Sequence, residues 1–120
     1  MSVPRNILLI SEHEASMKGE YGEISFGVAD GDITLTKWTG SMIVDNDNNL
    51  EILNYEFECD EKFPHSAPRV KFTVESMKNM HVKKICNNNG ELKELTKKSI
   101  KWDGSGKLAA YFQQIKALLK

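Results

Sequence analysis

From position 53 to 59 apolar and polar side chains alternate without a break. Leu53, Tyr55, Phe57 and Cys59 face one way, and Asn54, Glu56 and Glu58 the other. That period of two is a strand with one covered face and one wet face, so the chain must build a sheet covered on one side. Val70, Phe72 and Val74 repeat the pattern against Arg69, Lys71 and Thr73, and Ile24, Phe26 and Val28 against Glu23, Ser25 and Gly27. Between these, Gly31-Asp32 predicts a turn, 33–44 a further strand, and the Asp/Asn-rich stretch 45–49 a hairpin loop. Four sequential strands with short connections predict an antiparallel meander packed on helices.

Helices are predicted at both ends. Pro4 suits a first helical turn, where its missing N–H costs nothing. Ile7, Leu8 and Ile10 follow, and the helix should fray near Lys18-Gly19, with His13 on its exposed side. Near the C-terminus Leu108, Tyr111, Phe112, Ile115 and Leu119 fall on one helical face, with Ser105 as a candidate cap. The segment 77–98 shows no period and reads as a long irregular loop, a length usually tied to function. Pro64 and Pro68 fix the approach to the fourth strand. The fold class is α+β, in a single domain spanning 1–120.

Lys+Arg number 16 against Asp+Glu 17, so no basic field predicts nucleic acid or a membrane surface as partner. No run of about 18 apolar residues and no secretory h-region is present, which predicts a soluble, unexported protein. Cys59 and Cys86 make neither a disulfide framework nor a zinc spacing, so a reducing compartment and no metal are expected. Cys59 belongs to the inward set of its strand. Cys86, in the loop beside Lys83 and Lys84, is the one candidate for a reactive thiol. His13, His65 and His81 join no catalytic arrangement, and no cofactor is implied.

Four segments carry a family likeness: Val3-Pro4-Arg5-Asn6, Ile33-Thr34-Leu35-Thr36-Lys37-Trp38-Thr39-Gly40, Phe63-Pro64-His65-Ser66-Ala67-Pro68, and Asn88-Asn89-Gly90-Glu91-Leu92-Lys93 with Trp102 nine residues on. In these the chain resembles a ubiquitin-conjugating enzyme variant, the catalytically inactive branch that partners an active conjugating enzyme in polyubiquitin synthesis. In conjugating enzymes the third residue after the glycine is the cysteine that carries ubiquitin as a thioester; here it is Lys93. The His-Pro-Asn run that supplies their oxyanion donor falls on Lys83-Lys84-Ile85, and Ile85 has no side-chain donor.

The resemblance implies a ubiquitin-conjugating-enzyme-like fold and a non-enzymatic role in a cytoplasmic and nuclear heterodimer. It implies that Pro4, Arg5, Asn6, Ile7, Leu8 and Ile10 meet the partner enzyme, with Ile7 replacing the family's Phe. It also implies that Ser25, Ser41 and Ile52 hold the acceptor ubiquitin. Ser25 and Ile52 are independently directed away from the core by the phase of their strands. The shorter 45–49 loop departs from the family's proline-containing one. Two other readings stand beside this one: a stand-alone ubiquitin- and peptide-binding variant domain in sorting, and an active conjugating enzyme using Cys86.

Overall fold

Four hydrogen-bonded strands in the order β1-β2-β3-β4 form one antiparallel sheet, the meander that the alternation predicts. The computed structural model describes residues 4–29, 34–46, 49–104 and 106–119. Helix α1 (Arg5–Met17) precedes β1 (Ile24–Val28), β2 (Lys37–Asn46), β3 (Asn49–Glu58) and β4 (Arg69–Phe72). A short 3-10 turn (Ser76–Lys78), α2 (Met80–Ile85), α3 (Glu94–Ser99) and α4 (Leu108–Ala117) complete the order.

The inward residues of β3 are buried as the alternation requires, with Leu53, Tyr55, Phe57 and Cys59 at 1% exposure or less. Helix α4 lies against them. Phe112 is fully buried, its ring 4.7 Å from that of Tyr55 and 4.9 Å from that of Phe57. Leu108, Tyr111, Ile115 and Leu119 are buried with it, although Leu119 lies just past the end of the helix. Gly40 makes this core possible: a Cβ there would sit 2.6 Å from the Tyr55 ring and 2.7 Å from the Ser25 carbonyl.

Helix α1 closes the open edge of β1. The outward N–H groups of Phe26 and Val28 donate to Ser16 Oγ at 2.8 Å and His13 Nδ1 at 3.3 Å, and that of Ile24 to the Tyr21 carbonyl at 3.2 Å. All three outward donors of an edge strand are thereby satisfied, which blocks pairing with another chain. His13 is consequently not on the helix's exposed side; it is half-buried and meets the Trp38 ring edge-on at 5.7 Å.

Three other expectations are corrected. The fourth strand ends at Phe72, and Val74 is exposed. Ser76 stops the ladder: its hydroxyl accepts from Asn54 N–H at 2.7 Å and donates to the Asn54 carbonyl at 2.9 Å, turning the chain away. The second strand starts at Lys37 and not at 33, because Leu35 adopts φ 58° and the Thr34 and Leu35 carbonyls turn to Arg5. The segment 77–98 is not irregular, since it holds α2 and α3, each only six residues long and too short to print a period. Asn79 caps α2 by accepting from His81 and Val82 N–H. Gly31, Asp32, Ile33 and Ser105 lie outside the described residues, as does part of loop 45–49, and α4 is preceded by Lys107 as N-cap.

Candidate functional site

The turn from Asn87 to Lys93 is built by two residues. Asn87 Oδ1 accepts from the N–H groups of Asn89 at 2.9 Å and Glu91 at 3.2 Å, and the Asn87 carbonyl from Gly90 N–H at 3.0 Å. Gly90 takes φ 87°, and its carbonyl accepts from Phe72 N–H at 2.9 Å. A Cβ at Gly90 would stand 2.5 Å from the Phe72 carbonyl oxygen, so the turn approaches β4 only because it has none.

Lys93 follows, exposed, with its N–H donating to the Ile85 carbonyl at 3.0 Å, and it stands at the N-terminus of α3. Thr96 Oγ1 donates to the same carbonyl at 2.9 Å. The position that the resemblance assigns to a nucleophile therefore faces solvent and carries an amine. An acyl group on an amine would be a stable amide and not a transferable thioester. Ile85 is buried and contributes only its carbonyl to this neighbourhood. Trp102 closes the far side: its Nε1 donates to the Pro64 carbonyl at 2.6 Å, and its ring lies 5.5 Å from Phe63.

Cys86 is not the exposed thiol that its loop position predicts. It is 3% exposed, and burial pushes its pKa up to about 11, with Lys93 pulling weakly the other way. Lys83 and Lys84 point outward from α2 and do not activate it. Cys59 is fully buried, its thiol pushed up to about 12. Both thiols are therefore expected to stay protonated at pH 8 and to resist iodoacetamide until the chain is unfolded. Rapid labelling of Cys86 in the native protein would contradict this placement.

Of the N-terminal residues, Pro4, Asn6, Ile7 and Ile10 are exposed, Ile7 by 54% and Ile10 by 46%. Leu8 is half-buried against Gly106, and Leu9, outside the predicted set, is the one the core takes. Arg5 turns inward. Its guanidinium donates to the carbonyls of Cys59 at 2.7 Å, Asp60 at 2.9 Å, Thr34 at 3.0 Å and Leu35 at 3.3 Å. It locks α1 onto two loops.

On the sheet's outer face Ser25 and Ser41 are direct cross-strand partners with their hydroxyls 3.0 Å apart. Ile52 pairs with Ile43 across β2–β3 and is 63% exposed. Leu50, 76% exposed, extends the same face; it shares the phase of Ile52, the signal by which the sequence could have offered it. The three residues assigned by resemblance thus lie on one open surface, well apart from the α1 residues in sequence. Among the described residues no group of His, Cys, Asp and Glu could hold a metal, and no helix is long and apolar enough to cross a membrane.

No family model matches the chain. Over 74 residues, 58% of this chain and 54% of the other, it is 40% identical to the "Ubiquitin-conjugating enzyme variant MMS2" of Saccharomyces cerevisiae. The chain spans about half the length of that curated relative. Human "Ubiquitin-conjugating enzyme E2 G1" superposes with a TM-score of 0.70 at 17% identity, covering 99% of this chain and 98% of that one. A putative ubiquitin conjugating enzyme from Plasmodium yoelii gives 0.73 at 15% identity over 99% and 74% of the two chains. A ubiquitin conjugating enzyme E2 from Plasmodium vivax gives 0.66 at 16% identity over 93% and 98%.

Proposed function

From a chain that has the ubiquitin-conjugating-enzyme fold and is homologous to a ubiquitin-conjugating enzyme variant, we propose a non-catalytic subunit that aims ubiquitin at a partner's thioester. The observation that carries this reading is the amine of Lys93 at the mouth of the Asn87–Gly90 turn, with both thiols buried elsewhere. The partner, an active conjugating enzyme, holds the donor ubiquitin on its own cysteine. The variant holds an acceptor ubiquitin on the Ser25–Ser41–Ile52 face and meets the partner through Pro4, Asn6, Ile7, Leu8 and Ile10, braced by Arg5.

The physical contribution is orientation. Fixing both ubiquitins turns a bimolecular attack into an effectively unimolecular one. One acceptor lysine reaches the thioester in that pose, so one linkage forms, of the non-degradative signalling kind. Reconstitution with activating enzyme, ATP and an active conjugating enzyme tests this. Chains of a single linkage are expected only when both subunits are present, and the chain alone should form no ubiquitin adduct cleaved by reducing agent. Such an adduct would restore the active-enzyme reading.

Ile7→Ala is expected to weaken partner binding by about tenfold, the loss of an apolar anchor, and Ile52→Ala to slow chain formation while leaving partner affinity unchanged. Calorimetric titration reads the first and linkage-resolved gels the second; unchanged affinity in Ile7→Ala would remove Ile7 from the interface. Ubiquitin binding without any affinity for a conjugating enzyme would point instead to the sorting module.

A further inference from the structure

The near balance of charge over the whole chain conceals an uneven distribution. Residues 78–101 carry seven lysines against Glu91 and Glu94, whereas the remainder carries nine cations against fifteen carboxylates. All seven lysines are exposed. Lys78 is paired with Glu75 at 3.2 Å and Lys97 with Glu94 at 3.5 Å. Lys83, Lys84, Lys93, Lys98 and Lys101 form no ion pair among the described residues. Within the stretch only Glu91 is left to oppose them.

The fold holds these amines on a stiff base. Val82 and Ile85 of α2 and Thr96 of α3 are buried, so Lys83, Lys84, Lys97 and Lys98 are turned out. The two helices meet at the Ile85 carbonyl, which accepts from Lys93 N–H at 3.0 Å and Thr96 Oγ1 at 2.9 Å. The backbone of Lys84 is thereby brought close to that of Lys93. Gln114 of α4 fixes the far end, its Oε1 accepting from Lys101 N–H at 2.8 Å and its Nε2 donating to the Lys101 carbonyl at 2.8 Å. Among the amines stands Leu95, 75% exposed and one helical turn before Lys98.

We propose that the outer side of α2 and α3 is a docking surface for an acidic peptide segment of a partner protein that carries one large apolar side chain. The carboxylates of the segment meet Lys84, Lys93 and Lys98, and its apolar side chain rests on Leu95. The rest of the surface has more carboxylates than cations, so an acidic partner is drawn to this end and repelled elsewhere. A nucleic acid strand is a poorer match. Glu91 and Glu94 would face its phosphates, and the ring beside Lys101, Trp102, is already packed on Phe63 and Tyr111 and is not free to stack with a base. One leucine is also too little apolar surface to enter a membrane. The proposal stands apart from the ubiquitin reading, since it uses neither α1 nor the outer sheet face.

The test is an NMR amide-shift titration of the full chain with the blocked peptide Ac-Glu-Asp-Glu-Leu-Glu-Asp-Glu-NH2 and its central-Ser form. At about 20 mM salt the Leu peptide is expected to saturate with a Kd of about 0.1–1 mM, and to bind about tenfold more weakly at about 200 mM salt. The shifts should centre on Lys84, Lys93, Leu95 and Lys98. Lys93→Gln with Lys98→Gln should weaken binding about three- to tenfold, whereas Lys18→Gln with Lys62→Gln, which removes the same charge from elsewhere, should not. Leu95→Ser should cost the Leu peptide about threefold and leave the Ser peptide unchanged. Each substituted position is exposed, so the variants are expected to fold. Absence of saturable shifts, an equal loss when Lys18 and Lys62 are replaced, no preference for the Leu over the Ser peptide, or tighter binding of a thymidine oligonucleotide at the same residues would each overturn the proposal.

Discussion

Phe112→Ala is expected to destabilise the fold by about 3–5 kcal/mol, the range for emptying a buried aromatic site. Phe112 stands where helix and sheet meet. Its ring lies within 6.0 Å of Phe26 and Tyr111 as well as nearer to Tyr55 and Phe57. Those four rings belong to β1, β3 and α4 and cannot collapse onto one another to refill the space. Against a total stability of about 5–15 kcal/mol for an ordinary domain, that loss leaves the variant marginal at physiological temperature. Urea denaturation checks it: a loss under about 1 kcal/mol would mean that α4 is not held to the sheet through this ring.

Arg5→Ala should cost less, about 1.5–3 kcal/mol, the range for hydrogen bonds made by a charged group. Its effect should spread further. The guanidinium joins the first turn of α1 to carbonyls at Thr34, Leu35, Cys59 and Asp60, so its removal loosens the stretch before β2 and the one after β3 together. On the proposed reading partner binding should fall as well, although Arg5 is half-buried, because Ile7 and Ile10 would lose their fixed bearing. Arg5→Lys is expected to recover little, since one ammonium cannot reproduce a planar fork with donors on three nitrogens. Denaturation of both variants, beside calorimetric titration with the partner, reads this. A lysine variant as stable as the parent would show that charge alone suffices.

The sheet was legible because its strands alternate, although only the β2–β3 connection is short. Leu53 to Cys59 reports its own geometry, since burial on one face leaves no other reading of that run. The stop of β4 was not legible, because Val74 keeps the phase and only the long-range bonds between Ser76 and Asn54 reveal the turn. The two six-residue helices between 80 and 99 were hidden for a different reason, being less than two turns each. Cys86 and His13 were misplaced because exposure depends on what folds over a residue, and neither the 92–100 segment nor β1 announces that in sequence. The pairing of Ser25 with Ser41 was likewise invisible locally, as it depends on the β1–β2 register. The Asn87–Gly90 turn was passed over inside the segment read as irregular, although an Asn followed three positions later by Gly supplies both the side-chain acceptor and the positive φ.

The contacts of α1 with β1 also constrain how this molecule can greet another. His13 and Ser16 occupy the strand's amides from the same helix that displays Ile7 and Ile10. Tilting that helix to suit a visitor would strip the sheet's margin and invite fibrous stacking. On the proposed reading the N-terminal surface is therefore a stiff plate, and a partner would have to be shaped to it beforehand.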